Sequence, residues 1–224
     1  MSRFKEDNND TAISFSTLLS YLNDAFRLLN SAYKEIAIDR KSNPYKKPST
    51  TKTWHIENII TKDLVKIAEN KSLEESLNFD WVNDSKDLKR NNMIDIDIIY
   101  QAGLGKEKRL GIECKHLINN TKNDYYVKEG IDRFLSGKYS SKMPIAGMLG
   151  YIEKGKIYEI TTDLNKRITP NTLKPYNFEQ ELEHSFISEH DRSYNSESLT
   201  NFRLYHVFFD FRNLIERNKP DTHI

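Results

Sequence analysis

Apolar residues first recur at helical spacing near the start of the chain. Leu18, Leu22, Ala25, Phe26, Leu29, Tyr33 and Ile36 fall on one face of a helix read over residues 14–38. Ser14 or Ser16 is placed to cap its start. Each large apolar side chain is worth about 1.5–3 kcal/mol on burial, so this stripe must meet a core or a partner. From Arg40 to Thr53 the pattern stops, and two prolines among Lys, Ser and Thr read as a linker. Helical spacing resumes from about Thr53 to Asn70 through Ile56, Ile60, Leu64 and Ile67. Two segments, 93–101 and 109–117, then read as strands. A helix over Asn123–Ser136 carries Val127, Ile131 and Phe134, and Ile145–Ile152 reads as a buried strand. Ile157, Ile160, Leu164 and Ile168 predict another helix, and the aromatic-rich Arg203–Phe211 predicts a last strand. Residues 169–200 are the least patterned, with helical spacing only across Phe178, Leu182 and Phe186.

This order of elements predicts an α/β fold, with a mixed central sheet flanked by helices. Residues 1–48 form an N-terminal helical extension with its linker, and 49–224 form the α/β domain. Because the linker sets the first helix apart, its apolar stripe is expected to serve self-association or the docking of a partner.

Composition narrows the partners. At 224 residues, with 11 Phe, 12 Tyr and 2 Trp, the chain can bury a sizeable core. A net charge of +1 supplies no general positive field, so any contact with nucleic acid rests on local clusters. The Lys46–Lys47 pair and the run Lys86–Arg90 are candidates, although charge runs are usually solvated faces. The single cysteine excludes a disulfide scaffold and fits a reducing cytosol. The polar Ser2–Asp10 segment and the lack of a long apolar run point away from secretion and membranes, to a cytoplasmic protein.

The chemistry concentrates on the two strands. Met93-Ile-Asp-Ile-Asp-Ile-Ile-Tyr100 alternates acidic and apolar residues, and Leu110-Gly-Ile-Glu-Cys-Lys-His116 follows a Gly-containing turn. Strand residues two apart share a face, so Glu113 and Lys115 project together, as do Asp95 and Asp97. A hairpin turning through Gly103–Glu107 brings Glu113 opposite the aspartate pair. A one-residue change in that turn shifts the register, so spacing alone leaves Asp95 and Asp97 both open. Two carboxylates and an ammonium at one spot suit phosphodiester hydrolysis, because hard divalent cations prefer carboxylate oxygens and carry a water that can attack. A thiol hydrolase built on Cys114 and His116 finds no other support in the chain.

Ile94-Asp-Ile-Asp-Ile-Ile-Tyr100 followed by Leu110-Gly-Ile-Glu-Cys-Lys-His-Leu117 resembles the PD-(D/E)XK, restriction-endonuclease-like nuclease superfamily. Tyr126–Phe134, Gly137-Lys-Tyr139 and Ala146–Tyr151 resemble the following helix and strand of its bacterial anti-phage defence members. The resemblance covers about residues 54–152, and Ile94 stands where the family has proline. It implies a restriction-endonuclease-like core and a Mg2+- or Mn2+-dependent nuclease acting most often on DNA, as the effector of a defence system. It implies metal ligation by Asp95, by Glu113 and by the backbone carbonyl of Cys114, whose thiol turns into the core. Asp97 occupies the variable position after Asp95, and either aspartate can touch the metal. Lys115 is implied for the attacking water, Glu57 as a further acid from the first core helix, and Arg133, ahead of Lys128, for the scissile phosphate. A partner is implied too, because one near-neutral domain offers few phosphate contacts; a homo-oligomer or other defence subunits would add more. The competing reading is a non-catalytic nuclease-like module that binds a partner or nucleic acid. His116 is expected at the surface, Tyr139 in packing, and His206 in the core or at its rim.

Overall fold

The structure, a computed structural model, describes residues 14–46, 54–77, 79–83, 94–102, 106–118, 120–140, 143–178, 182–192 and 201–216. Lys47 and Lys86–Arg90, two of the expected basic clusters in whole or part, lie outside them. Among the described residues the core is one mixed seven-stranded sheet with helices on both faces, the architecture the residue pattern predicts.

Two helices open the chain, α1 (Phe15–Arg40) and α2 (Trp54–Glu74). Ser14 caps α1, its hydroxyl accepting the Thr17 N–H at 3.1 Å, one of the donors that a helix start leaves unpaired. The helices run antiparallel, tied by Arg27 to Glu75, Glu35 to Lys71 and Arg40 to Asp63. The strands are β1 (Phe79–Asn83), β2 (Ile96–Ala102), β3 (Lys106–Leu117), β4 (Ile145–Ile152), β5 (Lys174–Pro175), β6 (Ser185–His190) and β7 (Phe202–Asp210), in the sheet order β1-β2-β3-β4-β7-β6-β5. β1–β2–β3 form an antiparallel meander, β3–β4 and β4–β7 are parallel, and β5–β6–β7 are antiparallel. The central β4 is buried at every position, as a parallel strand covered on both faces should be.

The β3–β4 crossover is helical throughout. It runs as α3 (Asn120–Tyr126), a π-helical turn (Val127–Ile131) and α4 (Asp132–Leu135). After β4 comes α5 (Ile157–Arg167). Helices α1 and α2 cover one face of the sheet, while α3 to α5 cover the other.

Three expectations change. The apolar stripe of α1 does not wait for a partner: Leu22, Phe26 and Leu29 are fully buried in the same core as Ile60 and Leu64 of α2 and Ile96, Ile112 and Val207 of the sheet. Tyr33 adds a hydrogen bond to the Asp210 carbonyl (2.9 Å) and stacks on Phe209. The segment after α1 is also fastened, since Tyr45 donates to the Leu214 carbonyl and accepts from Glu216, both at 2.8 Å. The second change is β6, formed where Phe178, Leu182 and Phe186 suggested a helix. Three residues make barely two turns of signal, and antiparallel pairing with β7 outweighs it. The third is β1, which has too few residues to show a period yet pairs along its whole length with β2. Among the described residues no helix is long and apolar enough to cross a membrane.

Candidate active site

The site forms where β2 parts from β3. Their pairing begins at Ile96↔Ile112, so Asp95, one step before β2, stands level with Glu113. Beyond that point β3 continues alongside β4 but loses β2, leaving backbone groups at its edge in need of partners. Two acidic side chains take over this duty. Asp95 Oδ2 accepts the Cys114 N–H at 2.7 Å, and Glu57 Oε2, from α2, accepts the His116 N–H at 2.7 Å. The same alternation turns the Cys114 carbonyl toward this edge, while its thiol is fully buried in the core.

Lys115 sits at the centre. Its Nζ lies 2.6 Å from Glu113 Oε1, 2.8 Å from the Cys114 carbonyl oxygen, 3.5 Å from Asp95 Oδ2 and 3.8 Å from Glu57 Oε1. The four residues expected to share the site, Glu57, Asp95, Glu113 and Lys115, therefore meet, although they come from two elements and a loop end. Burial and the Asp95 charge push the Glu113 carboxyl well above the usual carboxylate range, against the pull of Lys115. For Lys115, burial favours the neutral amine, but Asp95, Glu113 and Glu57 outweigh it and hold the ammonium charged.

Asp97 is placed differently. It lies opposite Gly111 and pairs with Arg109 at 3.3 Å, toward the exposed end of the hairpin. Burial raises its carboxyl despite Arg109. Lys128 is exposed and 4.0 Å from Asp124, apart from the cluster. Arg133 keeps two partners, Glu129 one turn back and the Tyr139 hydroxyl, at 2.5 Å from the latter.

His116 is buried, not at the surface, with Nε2 2.9 Å from Glu153 Oε2, though off line for a hydrogen bond. Burial pushes the Cys114 thiol up, which suits a core side chain and not a nucleophile. His206 is fully buried, as a core histidine. Tyr139 carries more than packing: burial and the nearby charges of Glu113 and Asp95 raise its phenol. Its polar role could have been sought in its distance from Arg133, six residues on, but only a tight turn after α4 makes them meet.

What can this cluster hold? Among the described residues no three His, Cys, Asp or Glu side chains form a ready-made metal cage. The Lys115 ammonium instead occupies the space between the acids, a cation resting on an all-oxygen set. Those donors, the Asp95, Glu113 and Glu57 carboxylates and the Cys114 carbonyl, are the hard ligands that a small divalent ion prefers. Three carboxylates surround one ammonium, and a divalent cation would offset the negative charge that Lys115 leaves uncompensated. The residues fit Mg2+ or Mn2+. No family model, curated protein or solved structure matches this chain.

Proposed function

We propose that this chain is a Mg2+- or Mn2+-dependent nuclease that hydrolyses phosphodiester bonds in DNA, acting in the cytoplasm as the effector of a bacterial anti-phage defence system. It works as a homo-oligomer or with other subunits of that system. One observation carries the reading: Asp95, Glu113, Glu57, the Cys114 carbonyl and Lys115 converge at the fork between β2 and β3.

When bound, the divalent ion would supply an activated water and offset charge on the phosphate. Asp95 and Glu113 would hold it with the Cys114 carbonyl, and Glu57 would stand by as a further acid. Asp95 is already fixed in place by the Cys114 N–H, so little ordering remains to be done on binding. Lys115, charged and tethered to Glu113, is positioned to orient a water and to stabilise negative charge as it grows on the phosphate. Arg133 hydrogen-bonds Tyr139, whose neighbour Ser140 packs beside Gly111, two residues before Glu113, and it adds a planar guanidinium suited to phosphate oxygens.

The test is cleavage of supercoiled plasmid DNA by the purified chain in Mg2+, in Mn2+ and in chelator. Cleavage is expected with either metal and none in chelator. Glu113→Gln and Lys115→Ala should each lower the rate roughly a hundredfold or more, as loss of one transition-state contact does. Their far-UV circular dichroism should match that of the parent. Metal-independent cutting, or folded variants that cut at the parent rate, would refute the reading. DNA binding with no cutting in either metal would point to the non-catalytic module.

A further inference from the structure

We infer that Tyr139 is a positioning residue, whose hydroxyl holds the Arg133 guanidinium at the mouth of the carboxylate cluster to receive a substrate phosphate. The inference rests on the phosphodiester reading of that site.

Arg133 has two partners of opposite kind. Glu129 draws it back along the helix, as a carboxylate four residues earlier ordinarily does. Tyr139 takes the other end of the fork: its oxygen accepts from Nη1 at 2.5 Å, and its ring centroid lies 5.6 Å from the guanidinium carbon. A carboxylate neutralises the cation that it holds. A phenol fixes the cation without adding a second counter-charge to that of Glu129. With five N–H donors in a rigid plane, a guanidinium that gives one to Tyr139 and one to Glu129 keeps others to offer a phosphate.

The segment that carries Tyr139 is built to stay put. Its ring is buried edge-on against Phe134, and its own N–H returns to the Arg133 carbonyl at 3.1 Å. Gly137 takes a φ of 73°, open to glycine, but Ser140 holds a φ of 48° with a side chain attached. The fully buried Arg192 secures that conformation. Its guanidinium donates to the carbonyls of Phe134 (3.1 Å), Ser140 (3.3 Å) and Met143 (2.9 Å), and covers the Phe202 ring at 3.8 Å. A fully buried guanidinium that ties together carbonyls before and after Tyr139 is more than a tyrosine that only fills space requires. Phenylalanine would fill it equally well.

A double-mutant cycle decides the matter. Tyr139→Phe, Arg133→Ala and the double variant are compared for binding of a fluorescein-labelled DNA duplex in Ca2+, and for KM and kcat of cleavage in Mg2+. Tyr139→Phe should weaken binding and raise KM about five- to tenfold, the loss of one hydrogen bond to a charged group, with kcat changing much less. Arg133→Ala should do at least as much. The double variant should be no worse than Arg133→Ala, because Tyr139 acts only through that side chain. Unchanged binding and KM in Tyr139→Phe overturn the inference while the nuclease reading stands. Additive losses also overturn it, and a purely structural tyrosine that lowered the melting temperature would produce them. A parent chain that neither binds nor cuts the duplex removes the nuclease reading, and this inference with it.

Discussion

Two aspartates separated by one residue carry different burdens here. Asp95 accepts a backbone N–H of β3 and faces the Lys115 ammonium, whereas Asp97 spends its charge on Arg109, half-exposed on the hairpin. Asp95→Asn should therefore cut metal-dependent cleavage roughly a hundredfold, while Asp97→Asn stays within a few-fold of the parent. Plasmid assays on the two folded variants check this, and the reverse order would place the site two residues along the strand. Spacing of two on a strand showed that Asp95 and Asp97 share a face, and that Glu113 and Lys115 share one. It could not show which aspartate lies level with Glu113, because a one-residue change between the strands shifts the register and only the pairing reveals it. Glu57 was visible through family likeness alone, since its reach to the His116 N–H depends on α2 packing over a strand edge sixty residues away. His116 was misread because burial belongs to the assembled sheet and what packs on it, not to the residue: nothing local says that this strand face is covered.

Elements were legible where their period had room to repeat. α1, α2, α5, β3, β4 and β7 each extend over enough residues for a clear apolar pattern. β1 and β5 are too short to show one, and β6 depends on its partner. The role of α1 was legible as a need for burial but not as a place. The place is set by close approach. A Cβ at Gly147 on β4 would come within 2.9 Å of Phe26 Cζ and 2.8 Å of Ile112 Cγ1, so α1 packs on the sheet where a side chain is missing. Gly147→Ala should thus cost about 1–3 kcal/mol of stability through overpacking of a rigid ring, read as a lower urea midpoint with an unchanged m-value. Phe26→Ala, which empties the other side of the contact, should cost about 3–5 kcal/mol. If α1 were only a docking helix, Phe26→Ala would leave the unfolding midpoint in place, and deleting residues 1–41 would leave a cooperative transition. Packing of α1 into the main core predicts that the deletion abolishes it.

At the scale of the whole molecule, the face opposite α1 carries a second network, made of polar groups. Asn171 Nδ2 lies 3.1 Å from His190 Nδ1, and His190 Nε2 lies 2.7 Å from Ser188 Oγ. That hydroxyl lies 2.8 Å from His206 Nε2, and His206 Nδ1 lies 2.9 Å from the Tyr126 hydroxyl. The chain joins β6 and β7 to α3, just before the π-helical turn. With both rings neutral every link can be made in one direction, from the Asn171 amide to the Tyr126 oxygen. Charging either ring turns an acceptor into a donor and breaks a link in a place that water does not reach. Burial accordingly lowers His190 to about 4, and burial with the His190 neighbour lowers His206 to about 3, from an ordinary 6.5. The sign follows from linkage. Above pH 6.5 both rings are neutral folded or unfolded, and stability is whole. Below it the unfolded chain takes up protons that the folded chain refuses, so stability falls until the folded values are reached. Each histidine contributes a slope of about 1.4 kcal/mol per pH unit in that window. Glu113, pushed up by burial, works in the opposite sense, so the histidine share is read by difference. Urea unfolding from neutral pH to about pH 5 should show stability falling less steeply in His206→Asn than in the parent, by about one histidine's slope. Parallel slopes for the two proteins would mean that His206 titrates alike in both states, and that the buried chain does not hold it neutral.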